Sequence, residues 1–433
     1  MAQEKAWGFC PQCGGKVDLE VGDPLLRCAF CKTSLYIVPQ SGIFSYILTP
    51  VDSAAPLQGS LVFLPYWRFK GFRFRLFDDK SVKTSLVDST IPALSGLDGL
   101  PSLGLATQLS DMRLDTGPLQ LGRSFLAPQD AIRKVDRRIE AGLRESPVSS
   151  FILSEKMTII SAPFELFEKN EKLLLRPLWE KRRDFFKVKR NGPLENLVKK
   201  LPHNGVYQGK GPASNMAVGF MPLICPECGT DLPAISMASV LFCKACKRLW
   251  GLGNNRFLPK KAHILTQQVE RDMKFLPFYH FSLKLQGFPF PDRRAFLSHL
   301  FPYRQFPENF SKEPVQLVIP AFSVNPSLFI RLGKRMSSSQ LPFLTLKSRD
   351  AATVPDAHCI NLGVDTAIQS LAFLFMSLLK NRKKMVEAAD KTKMQIKGIR
   401  LFFIPFKKER NELVEPLTGQ AVPRAALHYG LNL

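Results

Sequence analysis

Alternating apolar and polar residues predict β-strands at matching places in the two halves of the chain. Residues 72–76 read Phe-Arg-Phe-Arg-Leu, and residues 281–285 read Phe-Ser-Leu-Lys-Leu. A period of two is typical of a strand that buries one face. The 34 phenylalanines, against 4 Trp and 7 Tyr, favour β-rich cores filled by large aromatic side chains.

Helices are predicted later in each half. Asn325-Pro326 has the pattern of a helix N-cap followed by proline at the first helical position. Longer helices are expected over 130–143 and 365–383. The most apolar stretch, 367–379, is shorter than the roughly 20 residues that a membrane-spanning helix needs. We therefore interpret it as part of a buried helix, and no transmembrane segment is expected.

Cysteine spacing is the strongest chemical signal. Eight of the nine cysteines form four Cys-x-x-Cys pairs, and fourteen residues separate the first pair from the second in both halves. Two cysteines on one tight turn can aim both sulfurs at one ion, and two such turns complete a tetrahedral shell. The predicted metal ligands are Cys10, Cys13, Cys28 and Cys31 in the first half, and Cys225, Cys228, Cys243 and Cys246 in the second.

Residues 7–38 and 222–252 resemble the four-cysteine zinc ribbons of rubredoxin-like and transcription-factor proteins. The resemblance implies two structural zinc ions per chain, each held between adjacent hairpins. It also implies transcription or replication as a setting, since such ribbons are frequent there. Iron held by the same thiolates and a redox Cys-x-x-C motif are the alternatives. Four thiolates leave zinc no open position, which disfavours a catalytic metal.

Similar segments follow each cysteine cluster in the same order, which predicts an internal duplication. The offset between them grows along the chain, so net insertions fall in the second copy. Short apolar runs punctuated by proline are expected at strand ends or on edge strands. The five matches are Phe63–Phe69 with Phe275–Phe281, Thr90–Leu94 with Val318–Phe322, Pro101–Leu103 with Pro326–Leu328, Leu119–Gly122 with Ile360–Gly363, and Ala162–Phe164 with Ile404–Phe406.

The predicted fold class is α+β, with each copy a zinc ribbon followed by a β-rich α/β unit that contains one long helix. Residues 201–220 lack periodicity and are interpreted as a linker. Within them, Gly205–Gly211 has one residue too few for a phosphate-binding loop and is interpreted as a flexible joint. The predicted organisation is ribbon 1 over 1–39, α/β unit 1 over 40–200, linker over 201–220, ribbon 2 over 221–255 and α/β unit 2 over 256–433.

The composition predicts a folded protein, and the first residues of the chain predict its cellular compartment. Hydrophobic residues make up 45% and charged residues 22% of the chain, which excludes bulk disorder. The first residues lack the pattern of a signal peptide, so we expect a cytoplasmic protein with reduced thiols. The ninth cysteine, Cys359, is interpreted as a small buried apolar side chain.

The net charge of +23 predicts an anionic partner. Two zinc ions and eight thiolates would together contribute four negative charges and leave about +19. Basic residues concentrate in 172–200, 331–349 and 380–400. Nucleic acid, an acidic protein surface and an anionic membrane surface all fit such a charge.

The first basic segment is the candidate anion-binding site. A single nucleic-acid strand would pair its phosphates with cations and stack its bases on interleaved rings, here Trp179, Phe185 and Phe186. The alternative is a solvated strand pair whose aromatic side chains face inward. In the third basic segment, the cations that follow the apolar helix complement a helix C-terminus and need no ligand. The candidate cations are Lys181, Arg182, Arg183, Lys187, Lys189 and Arg190.

No catalytic motif is recognisable, so no enzymatic activity is expected. The leading hypothesis is a non-catalytic zinc protein that docks onto an anionic partner, in particular nucleic acid. A scaffold or assembly factor for a protein complex, or a peripheral membrane protein, is the alternative. An enzyme whose active site is assembled from distant residues is a third hypothesis.

Overall fold

The structure is a computed structural model, and it describes most of the chain. The described residues are 7–19, 24–39, 43–50, 57–77, 81–94, 100–104, 107, 112–115, 126–140, 147, 149–179, 186–187, 218–235, 238–253, 256–265, 273–339, 348–350, 357–379 and 393–430.

The first half is mainly strand. Its elements are β1 (Trp7–Phe9), β2 (Lys16–Asp18), β3 (Leu25–Arg27), β4 (Ser34–Pro39), β5 (Phe44–Leu48), β6 (Ser60–Leu76), β7 (Val82–Pro92), β8 (Met112–Leu114), α1 (Pro128–Glu140), β9 (Ser149–Lys169), β10 (Lys172–Pro177), β11 (Phe186–Lys187) and β12 (Val218–Pro222).

The second half has more helix. Its elements are β13 (Val240–Phe242), β14 (Leu249–Gly253), β15 (Arg256–Lys260), β16 (Ala262–Leu265), β17 (Met273–Gln286), α2 (Arg293–Leu300), a 3₁₀ helix (Glu308–Lys312), β18 (Val315–Pro320), α3 (Pro326–Ser338), β19 (Ser348–Asp350), α4 (Val364–Leu378), β20 (Lys393–Glu409), β21 (Glu412–Val414), β22 (Ala421–Pro423) and α5 (Arg424–Gly430).

Two seven-stranded sheets dominate these elements, and their strand orders correspond. One sheet has the order β7-β6-β9-β5-β8, with β10 and β11 following from β9. The other has the order β18-β17-β20-β16-β19, with β21 and β22 following from β20. The pair β5–β9 is parallel, and so is the pair β16–β20. The mixed α and β content and the predominance of strand agree with the predicted fold class.

The chain divides into two compact units, each assembled from separate segments of the sequence. Unit 1 comprises residues 1–70, 87–143 and 156–223, and unit 2 comprises 71–86, 144–155 and 224–433. The last residues of the predicted linker form β12, which pairs antiparallel with β4 of the first ribbon. Residues 201–217, which include the glycine-rich Gly205–Gly211, lie outside the described part of the chain.

Each unit has its own aromatic core. In unit 1, the Phe164 ring lies 4.8 Å from the Trp179 ring, and Tyr66 stacks on Phe164 at 6.4 Å. In unit 2, Phe74 of β6 lies 4.9 Å from Phe373 of α4 and 6.2 Å from Phe329 of α3. The apolar face of residues 72–76 is therefore part of the unit 2 core, which explains why this segment belongs to unit 2.

Helix α3 begins as predicted. The side chain of Asn325 accepts a hydrogen bond from the Leu328 amide at 2.9 Å, and Pro326 is the first helical residue. An amide that would otherwise lack a partner is thus satisfied, and proline costs nothing where no helical N–H bond is needed.

The expectation for the prolines holds only in part. Pro92 and Pro320 end β7 and β18, which lie at the edges of their sheets, as predicted. Pro163 and Pro405 instead lie within the central strands β9 and β20. On one side of β20, β16 pairs with residues before Pro405 and β21 with residues after it. Proline is tolerated there because neither of these partners needs an N–H from it.

Candidate metal centres and a basic groove

The first Cys-x-x-Cys turn of each ribbon has the geometry of a metal-binding knuckle. The Gly14 amide donates to the Cys10 carbonyl at 2.8 Å, and the Gly229 amide donates to the Cys225 carbonyl at 2.9 Å. Gly14 has φ of 72° and Gly229 has φ of 71°. Glycine adopts this left-handed conformation without steric cost.

The second turn of each ribbon repeats the same geometry with a lysine in place of the glycine. Lys32 donates its amide to the Cys28 carbonyl at 3.1 Å, and Lys247 donates to the Cys243 carbonyl at 3.0 Å. Both lysines have φ of 61°. A left-handed lysine costs on the order of 1 kcal/mol, so the folded turn has to stabilise a conformation that the free chain avoids.

Four sulfurs converge in each ribbon. The Sγ atoms of Cys10 and Cys31 are 3.7 Å apart, and those of Cys13 and Cys28 are also 3.7 Å apart. In the second ribbon, the corresponding Sγ distances are 3.6 Å and 3.5 Å. A tetrahedral site with metal–sulfur bonds of about 2.3 Å has sulfurs about 3.8 Å apart. These distances are far longer than the roughly 2.05 Å of a disulfide, so each cluster is arranged to hold a metal ion.

A threonine lies beside one thiol of each cluster. The Thr33 hydroxyl is 3.4 Å from Cys31 Sγ, and the Thr230 hydroxyl is 3.4 Å from Cys228 Sγ. Hydrogen bonds with the Thr33 side chain and then its amide lower the pKa of the Cys31 thiol to about 6. Thr230 lowers the pKa of Cys228 to about 6 in the same way.

In the same clusters, a backbone hydrogen bond with Gly15 lowers the pKa of Cys13, but desolvation and the neighbouring thiols outweigh it and raise that pKa to about 11, and desolvation raises the pKa of Cys246 to about 12. Metal binding therefore has to displace a proton from at least one thiol of each cluster at neutral pH.

Apolar packing holds the first ribbon in place. Cys10 and Cys28 are buried in a small cluster with Val17 and Leu35. Phe220 of β12 packs against the same cluster, so a segment distant in sequence completes the ribbon.

The second ribbon is joined to the segment that precedes α4. The hydroxyl of Ser239 donates to the Ile360 carbonyl at 3.0 Å, and Val240 forms an isolated β-bridge with Ile360. The ribbon and the segment 357–360 together enclose a largely apolar cavity of about 610 Å³. Cys359 lines this cavity, and burial raises the pKa of its thiol. The side chain is half-buried, so it is more exposed than the buried apolar side chain that the sequence predicted.

The candidate cations of the first basic segment fall largely outside the described residues. This applies to Lys181, Arg182, Arg183, Lys189 and Arg190, and of the six only Lys187 is placed, in β11. The aromatic residues of this segment that the structure describes face inward, as the alternative interpretation expects. Trp179 is buried in the unit 1 core, and Phe186 packs against that core. Phe185 lies outside the described residues.

A basic groove lies on helix α3 within unit 2. Its volume is about 430 Å³, and its cations are Arg331, Lys334 and Arg335. The hydroxyls of Thr84 and Ser327 meet there at 2.7 Å. All three cations lie in the basic segment 331–349, but none of them is among the candidate cations predicted from the sequence. The helical spacing i, i+3, i+4 was the signal that could have identified the row.

Comparisons of this chain with protein-family models, with curated proteins and with solved structures found no match. Within the described residues, no helix is both long enough and apolar enough to cross a membrane.

Proposed function

We propose that this chain is a non-catalytic zinc protein, built from two copies of one ribbon-plus-sheet unit, that binds nucleic acid through its basic surface. Zinc is the metal that a closed shell of four thiolates suits best. With all four positions taken by the protein, each ion would stabilise its ribbon and leave no place for a substrate. Zinc binding needs reduced thiols, so the proposal includes a reducing compartment such as the cytoplasm.

The duplication is supported by equivalent contacts at positions that the sequence matches align. The Ala93 amide donates to the Pro65 carbonyl at 2.8 Å, and the aligned Ala321 amide donates to the Pro277 carbonyl at 3.0 Å. The corresponding strand orders of the two sheets support the same proposal.

Side-chain pairs at aligned positions also correspond, although their chemistry differs. Arg68 forms an ion pair with Asp88 at 2.6 Å, and the aligned His280 contacts Gln316 at 3.3 Å. A partly exposed charged pair in one copy is thus matched by a buried neutral pair in the other. A duplicated ancestor explains this, because both members of the pair have to change together when the site is buried.

The proposal that the partner is anionic rests on the net charge of +23. Among the described residues, burial removes two arginines and two glutamates from the surface: Arg73, Arg293, Glu165 and Glu415. Burial of these residues therefore leaves the balance of charge on the surface unchanged. Polyanions such as nucleic acids are attracted to such a surface, with release of counterions.

Salt-dependent binding of the full-length, zinc-loaded protein to a random single-stranded oligonucleotide tests the proposal. We expect binding at low salt, with an affinity that falls linearly on a log–log plot against salt concentration. If the protein does not bind oligonucleotides at low salt, or if it captures only acidic proteins or anionic vesicles, the nucleic-acid proposal fails.

A further inference from the structure

The groove on α3 combines three cations with three hydroxyls, those of Thr84, Ser327 and Ser338. Arg331, Lys334 and Arg335 share one helical face with Ser327 and Ser338, because residues three and four apart are neighbours on a helix. From Ser327 to Ser338 this face is roughly 16 Å long at 1.5 Å per residue. The row is therefore longer than a site for one isolated phosphate.

The described residues that line the groove carry positive charges only. No aspartate or glutamate lines the groove among the described residues. Arg331 and Arg335 are exposed, and no described carboxylate forms an ion pair with either of them. A guanidinium group can bind a phosphate with two parallel hydrogen bonds. The ammonium group of lysine acts as a point charge and lacks this paired geometry.

The hydroxyl pair adds a donor at one end of the row. Thr84 and Ser327 contribute two O–H groups, and the bond of 2.7 Å between them uses one. The second O–H can donate to an anion in the groove, since serine and threonine hydroxyls are common phosphate ligands.

The apolar floor of the groove argues against a membrane as the occupant. Val82, Ile330 and Leu378 line the groove together with the cations. Ile330 is buried at 5% exposure. Membrane-surface helices instead project their large apolar side chains outward into the lipid. A recessed apolar floor suits the sugar or base of a strand whose phosphates lie along the cations.

The cations are a feature of the second half. In the match that aligns Pro101–Leu103 with Pro326–Leu328, the positions of Arg331, Lys334 and Arg335 are occupied by Ala106, Leu109 and Ser110. Under the proposed duplication, a repeat therefore does not need these charges in order to fold.

We propose that the groove on α3, lined by Arg331, Lys334, Arg335, Thr84 and Ser327, binds the phosphodiester backbone of a single nucleic-acid strand. The inference rests on the proposed function and specifies where in the fold the nucleic acid binds. It assigns the binding to unit 2, separately from the first basic segment.

The test compares two neutralised variants that have the same net charge. The groove variant carries Arg331→Ala, Lys334→Gln and Arg335→Ser, two of which introduce the residues of the first half. The control variant carries Arg256→Gln, Lys261→Gln and Arg410→Gln, at exposed positions that do not line the groove. Circular dichroism and zinc content establish that both variants are folded.

We expect the groove variant to bind a single-stranded oligonucleotide about tenfold or more weakly at low salt. Its log–log salt slope should fall by about 2, since each lost phosphate contact contributes about 0.7. The control variant should bind like the wild type. Thr84→Val should weaken binding without changing the slope, because a hydroxyl contact releases no counterion.

The outcomes separate the two proposals. If the wild type binds and both triple variants lose affinity equally, the groove inference is overturned while the proposed function stands. The same holds if the groove variant binds like the wild type. If the wild type binds no oligonucleotide, both proposals fail, and binding to vesicles of anionic phospholipid would show that a membrane is the partner instead.

Discussion

The indole N–H of Trp67 donates to the carbonyl of Leu126 at 2.9 Å, and the aligned Tyr279 donates its hydroxyl to the carbonyl of Leu362 at 3.0 Å. The two acceptors are equivalent by a second criterion. The Leu126 amide donates to the Ala93 carbonyl, and the Leu362 amide donates to the Ala321 carbonyl. Two chemically different side chains thus make one bond at one place in each unit.

This bond gives the first prediction. Tyr279→Phe removes the hydroxyl and leaves the buried Leu362 carbonyl without that donor. We expect the free energy of unfolding to fall by about 1–3 kcal/mol. Chemical denaturation measures the change. The control is Tyr303→Phe at a fully exposed ring, which should change stability by less than about 0.5 kcal/mol.

The second prediction concerns metal content. Elemental analysis of the purified protein should find two zinc ions per chain. Cys13→Ser or Cys228→Ser should each reduce the content to about one, because each removes one thiolate from a closed shell. Cys359→Ser should retain both ions. A value near one or zero for the wild type, or the absorption spectrum of iron bound to four thiolates, would contradict the zinc proposal.

The third prediction concerns pH. Burial lowers the pKa of His280 to about 4, below its ordinary value of 6.5. As the pH falls, the unfolded chain therefore takes up the proton first. Stability from the neutral imidazole is fully present above about pH 6.5 and is lost towards pH 4, by up to about 3 kcal/mol.

A substitution isolates this contribution from the acid release of metal. In His280→Gln, the free energy of unfolding should fall less between pH 7.5 and pH 5 than in the wild type. His428→Gln at an exposed position should preserve the wild-type dependence. Parallel pH profiles for the wild type and His280→Gln would show that this histidine is not responsible.

The fourth prediction concerns a close approach of two backbone segments. A Cβ atom at Gly59 would lie 2.0 Å from the carbonyl oxygen of Leu166. The Gly59 amide also donates to the buried carboxylate of Glu165 at 3.0 Å, so the segment cannot shift freely. Gly59→Ala should lower the melting temperature with a loss of about 1–3 kcal/mol.

Gly398 is the matched control for this effect. It lies in strand β20, and an added Cβ there would meet nothing within 4 Å. Gly398→Ala should therefore be neutral or slightly stabilising. Equal losses in the two variants would indicate that strand propensity, and not the contact with Leu166, determines the cost.

The cysteine clusters could be predicted from sequence because their chemistry depends on local spacing. Two residues between cysteines allow the tight turn, with glycine after the first pair and lysine after the second, and the structure brings the four predicted sulfurs together in each ribbon. The N-cap at Asn325 could be predicted for the same reason, because it depends only on residues next to each other in the sequence. Alternation also identified β17, because burial of one strand face leaves a direct trace in the sequence.

Features that depend on distant contacts could not be predicted. The sequence match paired Leu362 with Leu121, whereas the hydrogen bonds pair it with Leu126, five residues later in the chain. The shared pattern, an aliphatic residue, any residue, leucine and glycine, is too common to determine a register. Alternation in residues 72–76 predicted a buried face but contained no information about which unit would bury it.

The assignment of residues 72–76 to unit 2 affects how the chain folds during synthesis. Residues 71–86 and 144–155 belong to unit 2, but they leave the ribosome well before the rest of that unit has been synthesised. At bacterial or eukaryotic elongation rates of about 5–20 residues per second, they wait roughly tens of seconds for their partners. During that time Phe72 and Phe74 have no core to enter, so a nascent chain would benefit from a chaperone. For the same reason, cutting the gene at the predicted linker would leave the second fragment without part of its core.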